Sequence, residues 1–160
     1  MKAWHFVGEK LRNGEPVPPD GKWLRWNGPL EMCKTGLHAS VEPFDALRYA
    51  PGPVLCLVEV SGEIVKGNDK LVCSQRKIIC RMDATEMLHY FARMQALSVI
   101  HLYPNGTDDV VFDYLMTGDE ALRAAAWDAS CAAIASGAAT WDAARRDFNE
   151  LVYECFDYKP

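Results

Sequence analysis

The sequence predicts an α+β fold, in which a small mixed β-sheet from the N-terminal half is packed with helices from the C-terminal half. Three observations lead there. The run Val54–Val60 (VLCLVEV) is apolar on both faces of a two-residue period, the pattern of a strand central in its sheet. At Asp83 the period changes from two to that of a helix. Near the end, Trp141, Ala144, Phe148, Leu151, Val152 and Cys155 recur at helical spacing and give an amphipathic stripe.

The elements follow in order. Residues 2–7 (KAWHFV) read as a short strand, rich in aromatic and β-branched side chains. From Gly8 to Pro29 the chain is rich in Gly, Pro, Asn and Asp and reads as loop, with a short pairing at Trp23–Trp26. Leu30–Cys33 and Leu37–Ser40 are short strand candidates around Lys34-Thr35-Gly36. Ser40 reads as the N-cap of a short helix from about Pro43 to Tyr49, stopped by Pro51-Gly52-Pro53. After Val54–Val60, Ser61-Gly62 breaks the strand pattern and Glu63-Ile64-Val65 resumes it. Gly67-Asn68-Asp69 is a turn signal. Lys77–Met82 is a further strand, with Ile78, Cys80 and Met82 on one face.

Asp83-Ala84-Thr85-Glu86 fits a capping box with Asp in the cap position, and a helix follows to about Leu97. Ser98–Tyr103 reads as a last short strand, and Thr107 as the cap of a short helix ended by Gly118. Two longer helices are expected from about Asp119 to Ser136 and from Thr140 to residue 156. The segments Ala125–Ala129 (AAWDA) and Ala139–Ala143 (ATWDA) form a weak repeat; two copies are too few for a solenoid. We read residues 1–160 as a single domain with a β-rich part (1–82) and a helical part (83–160), because the stripe at 140–156 needs a partner surface.

Composition narrows the function. The 160 residues include 17 basic and 22 acidic ones, a formal net charge of −5. That argues against general nucleic-acid binding, which needs a basic face to displace counterions from phosphates. No apolar run approaches membrane-spanning length, and residues 1–7 do not fit an export signal. The six cysteines form no C-x-x-C pair and no zinc-ligand spacing with the four histidines. Cys56, Cys80 and Cys155 fall on apolar stripes, so reduced thiols and a cytoplasmic setting are the expectation.

No P-loop, G-x-S-x-G, H-E-x-x-H or G-x-G-x-x-G motif is present. What remains is a sequence of pieces: His5 on a first strand, Gly36-Leu37-His38-Ala39-Ser40 leading to a helix that ends near Tyr49, the valine-rich strand, Gly62-Glu63, and Asp69. This order resembles the small ADP-ribosyltransferase fold, in particular the rifampin ADP-ribosyltransferases and the RNA 2′-phosphotransferases, over residues 3–82. The resemblance implies NAD as cofactor. It implies that His5 holds a ribose hydroxyl and that His38, where the family more often has tyrosine, or Tyr49 packs on nicotinamide. An acid, Asp69, Glu63 or Glu59, would stabilise the cationic sugar. Each residue has a plainer reading. His5 can face solvent from a half-buried strand, His38 can bond locally before the helix, and Glu59 can mark a strand end. Arg76, Lys77 and Arg81 read as an exposed strand face and not as a phosphate clamp, and His89 and His101 as residues at the edge of the core.

The segments Leu30–Ser40 (LEMCKTGLHAS) and Ala46–Ala50 (ALRYA), with the W-D-A tails at Trp127 and Trp141, also resemble a phage- and prophage-encoded family of unknown function. That resemblance implies an accessory protein acting in the cytoplasm of a bacterial host cell. Two functions are therefore expected. One is a phage-encoded binding protein that inhibits a host defence system, of the anti-CRISPR or another anti-defence type, by contact with a host protein or ribonucleoprotein complex. The alternative is an NAD-dependent ADP-ribosyltransferase that modifies a host macromolecule through His5, His38 and an acid.

Overall fold

A computed structural model describes residues 1–11, 13–98, 100, 109–123 and 141–160. The fold is α+β. Its strands are β1 (Lys2–Val7), β2 (Leu24–Arg25), β3 (Leu37–Ala39), β4 (Val54–Lys66) and β5 (Leu71–Asp83). Among the described residues the helices are α1 (Pro43–Leu47), α2 (Thr85–Ser98), α3 (Asp109–Thr117) and α4 (Trp141–Cys155), and a 3-10 turn spans Glu120–Leu122. The chain forms two compact units, residues 1–85 with 149–160, and residues 86–148.

In the first unit all five strands join one sheet in the order β1-β4-β5-β2, with β3 also on β5, and every pairing is antiparallel. The β4–β5 hairpin is the frame. β4 lies between β1 and β5, and both of its faces are buried as far as Val60: Leu55, Cys56, Val58 and Val60 are fully buried. The strand does not stop at Ser61-Gly62. It passes through a bulge there, with Gly62 at φ 76 and the Ser74 hydroxyl accepting from the Glu63 N–H at 2.9 Å. A second register slip lies between Leu57 and Val58, so Cys80 stands opposite Leu57 and Ile78 opposite Val58. The face expected to hold Ile78, Cys80 and Met82 together is divided at that slip, since consecutive residues of β4 point to opposite sides.

Three local expectations are corrected. Leu30–Cys33 is mostly turn and not strand, with an isolated bridge from Glu31 to Thr35. Glu42, not Ser40, occupies the N-cap of α1, and its side chain caps no backbone group. Ser40 instead extends β3 and pairs with Trp4. β5 begins at Leu71 and not at Lys77.

The C-terminal segment completes the first unit. Val152 is fully buried. Asn149 accepts from the Phe44 N–H at 2.9 Å, and Asn149 and the Tyr153 hydroxyl both donate to Glu42 at 2.8 Å. Trp4 packs edge-on against Phe156 and Tyr158, with ring centroids at 5.1 and 5.4 Å. Buried polar groups here are hydrogen-bonded, as burial requires.

The second unit holds most of α2, then α3 and the first half of α4. Phe91 and Phe148 meet edge to face at 4.9 Å, and Phe148 is fully buried. Ser98 ends α2 and does not open a strand. Ile100 is in a 3-10 conformation and not a strand; residues 99 and 101–103 of the expected strand, the Thr107 cap, the Trp127 segment and most of the expected helix to Ser136 lie outside the described residues. Asp83 closes the turn before α2 by accepting from the Thr85 N–H at 2.9 Å and its hydroxyl at 2.6 Å. No helix of the described residues is long and apolar enough to cross a membrane.

Candidate functional site

Two short strands set the site. β3 lies along β5 with His38 opposite Val72, and Ser40 just beyond it exchanges both backbone hydrogen bonds with Trp4 of β1, at 2.7 and 2.9 Å. This double bond ties the first strand to the third and brings His5, the next residue, toward His38. Gly36, in the bend just before β3, has φ 97, and a side chain there would run into Val72 and Leu30.

Between these elements lies a cavity of about 830 Å³, contained wholly in the first unit. Its volume falls within the roughly 300–1,000 Å³ typical of small-molecule sites. His5, His38 and Arg76 line it together, with Trp26, Tyr49 and Leu24 among the hydrophobic and aromatic wall residues. Lys10, Lys34 and Lys70 are also in the lining. Among the described residues of the lining there is no Asp or Glu, in a chain of net charge −5.

His5 lies opposite Cys56, on the side of β1 that carries Ala3 and Val7. It is half-buried. Burial first, then the charge of Arg76 and the neighbouring His38, hold its pKa well below the ordinary histidine value, so the ring is neutral at pH 7. His38 accepts at Nε2 from the Cys33 N–H at 3.0 Å. That bond fixes the tautomer with the proton on Nδ1. Cys33 reaches this position by adopting φ 67 in the turn before β3. The loop behind it is held by Thr35, whose hydroxyl donates to the Pro29 carbonyl at 2.6 Å, and by the Trp26 indole, which donates to the same oxygen at 3.1 Å.

Arg76 is 6% exposed, which corrects the expectation of an exposed strand face. It stands opposite Val60 on β5, and its Nη1 donates to the His38 carbonyl. Among the described residues no carboxylate forms an ion pair with it. Burial lowers its pKa to about 10, against a weaker upward pull from Cys73 and Cys56. Lys77 and Arg81 are half-buried and paired, to Glu59 at 2.8 Å and to Asp20. The sequence does carry a signal for Arg76: a two-residue step back from buried Ile78 reaches it.

The three candidate acids lie elsewhere. Asp69 accepts from the Tyr49 hydroxyl at 2.5 Å and pairs with Arg48 at 3.1 Å. The Tyr49 bond, then Lys70 and Arg48, keep its pKa below the usual carboxylate value. Asp69 thus positions Tyr49, which stands in the cavity wall with Lys70 4.2 Å above its ring. Glu59 is bound to Lys77, and Glu63 sits exposed at the bulge. None of the three lines the cavity. His89 belongs to α2, in the other unit, and His101 lies outside the described residues. Among the described residues, no group of three or more His, Cys, Asp or Glu is placed to hold a metal ion. Each of the five described cysteines is a free thiol; Cys131 lies outside the described residues.

A family model described as Domain of unknown function (DUF7666) matches residues 1–90. The chain belongs to this family. Every residue that lines the cavity lies inside the DUF7666 stretch, as do all five strands. No curated protein and no solved structure matches the chain.

Proposed function

We propose that this DUF7666 chain binds a nucleotide of the NAD type in the cavity, and that it binds without transferring ADP-ribose. The observation that carries the reading is the convergence of His5 and His38 on one cavity. Both would have to touch the same dinucleotide for the resemblance to ADP-ribosyltransferases to have a chemical basis. Neutral imidazoles on facing strands can donate to and accept from ribose hydroxyls. The rings of Trp26 and Tyr49 in the wall offer surfaces for a flat base, and the basic lining suits an anionic ligand. Transfer chemistry is set aside because cleaving nicotinamide from its ribose builds positive charge on the sugar. A carboxylate beside it would stabilise that charge, and the described lining offers cations instead.

Titration calorimetry with NAD on the wild type and on His5→Ala tests the reading, alongside an assay for released nicotinamide. The expectation is binding by the wild type and affinity weaker by about tenfold in His5→Ala, as removal of one good hydrogen bond would give. No nicotinamide should appear. Equal affinity in the two proteins removes His5 from the site. Released nicotinamide would restore the transferase reading. Absence of NAD binding would leave the phage anti-defence reading, with a host protein or ribonucleoprotein complex as partner.

A further inference from the structure

A guanidinium that is 6% exposed and lacks a carboxylate partner among the described residues calls for an explanation. Taking a cation out of water costs several kcal/mol unless an anion or a full set of hydrogen bonds compensates. Among the described residues the compensation is a single hydrogen bond, from Nη1 to the His38 carbonyl. Asp45, the other buried charge among the described residues of the first unit, is acidic, lies in α1 and does not line the cavity. Arg76 faces the cavity beside two histidines, and the lining adds Lys10, Lys34 and Lys70. Lys34 shares its charge with Glu31, whereas Lys70 rests on the Tyr49 ring. The missing counter-ion of Arg76 is therefore to be sought in the ligand.

We propose that Arg76 is the anchor of a phosphate-binding subsite inside the cavity, holding a phosphate or pyrophosphate group of a small phosphorylated ligand, with the lysines drawing the anion toward it. The chemistry suits the residue. Its planar fork presents several N–H donors to paired oxygens, and such charge-assisted bonds are the strong ones. The neutral His5 beside it can donate to a remaining oxygen without adding a charge that needs its own partner. The inference rests on the nucleotide reading for its biological setting. It stands or falls separately, because it concerns the anion and not the base or the nicotinamide.

The test uses sodium pyrophosphate as probe at constant ionic strength, on the wild type, Arg76→Met and Arg76→Lys. Wild type should bind pyrophosphate and gain thermal stability over the chloride control. Arg76→Met should weaken the Kd by about 30-fold, within the range for hydrogen bonds to a charged group. Arg76→Lys should fall between the two, since it keeps the charge and loses the fork. Should Arg76→Met fail to fold, the side-chain Nε–H resonance of Arg76 in nitrogen-15-labelled wild type gives the answer instead, and it should shift as pyrophosphate is added. An unmoved resonance, equal pyrophosphate affinity in wild type and Arg76→Met, or no binding beyond the chloride control would overturn the proposal. NAD affinity unchanged by Arg76→Met would remove the anchor and leave the nucleotide reading. Pyrophosphate binding without NAD binding would do the reverse.

Discussion

On one side of β1, Trp4 is 1% exposed and sits against Tyr153, Phe156 and Tyr158. On the other, one residue later, His5 looks into the cavity toward Arg76 and His38. The first side is densely packed, although Trp4 and Phe6 also border the cavity. Its polar groups are matched within the chain, Glu42 accepting from both Asn149 and Tyr153. The second side keeps a buried cation without a carboxylate among the described residues, and two neutral imidazoles beside it. The difference is one of partners: Trp4, although it also borders the cavity, packs on the C-terminal rings, whereas His5 stands beside Arg76 and His38.

Substitutions should tell the two sides apart. Trp4→Ala should have the largest effect, about 3–5 kcal/mol lost in chemical denaturation, because it empties the centre of an aromatic cluster. A loss below about 1 kcal/mol would mean that the C-terminal rings do not depend on it. On the cavity side the effect should appear in the pH dependence. The unfolded chain takes up a proton at His5 near the ordinary value of 6.5, whereas the folded chain takes it up only well below. His5 therefore costs no stability above pH 6.5, and stability falls as the pH drops from there. The limiting slope is about 1.4 kcal/mol per pH unit. His5→Gln should remove that slope between pH 6.5 and 5.5, and unchanged slopes would contradict the buried neutral ring. Tyr153→Phe should have the smallest effect, about 1 kcal/mol, since Asn149 still bonds Glu42 when the hydroxyl is gone.

The two sides also differ in how far the sequence reveals them. β4 is legible because a run apolar on both faces has few homes other than a flanked strand. The burial of Phe148 and Val152 is legible from their helical spacing. The first half of β5 is not, because Ser74, Gln75 and Arg76 break its apolar pattern, and what pairs it is β4 beyond a bulge. Arg76 looks like a surface residue until β2 and β3 are seen on the outer edge of β5. His5 and His38 are identifiable as candidates from their places in the order of elements. Their convergence depends on the backbone pairing of Trp4 with Ser40, which no local pattern encodes. The absence of a carboxylate from the described lining is likewise a tertiary fact: Asp69 follows the turn signal but spends its oxygens on Tyr49 and Arg48.

A nucleotide in the cavity should touch His5 and His38 at once. Imidazole resonances of the wild-type protein, followed by NMR as NAD is added, read this directly. His5 and His38 should shift together along one saturable curve, while His89 in α2 stays in place. Shifts at neither cavity histidine, or at only one of them, would contradict a shared ligand and leave the cavity without the role assigned to it.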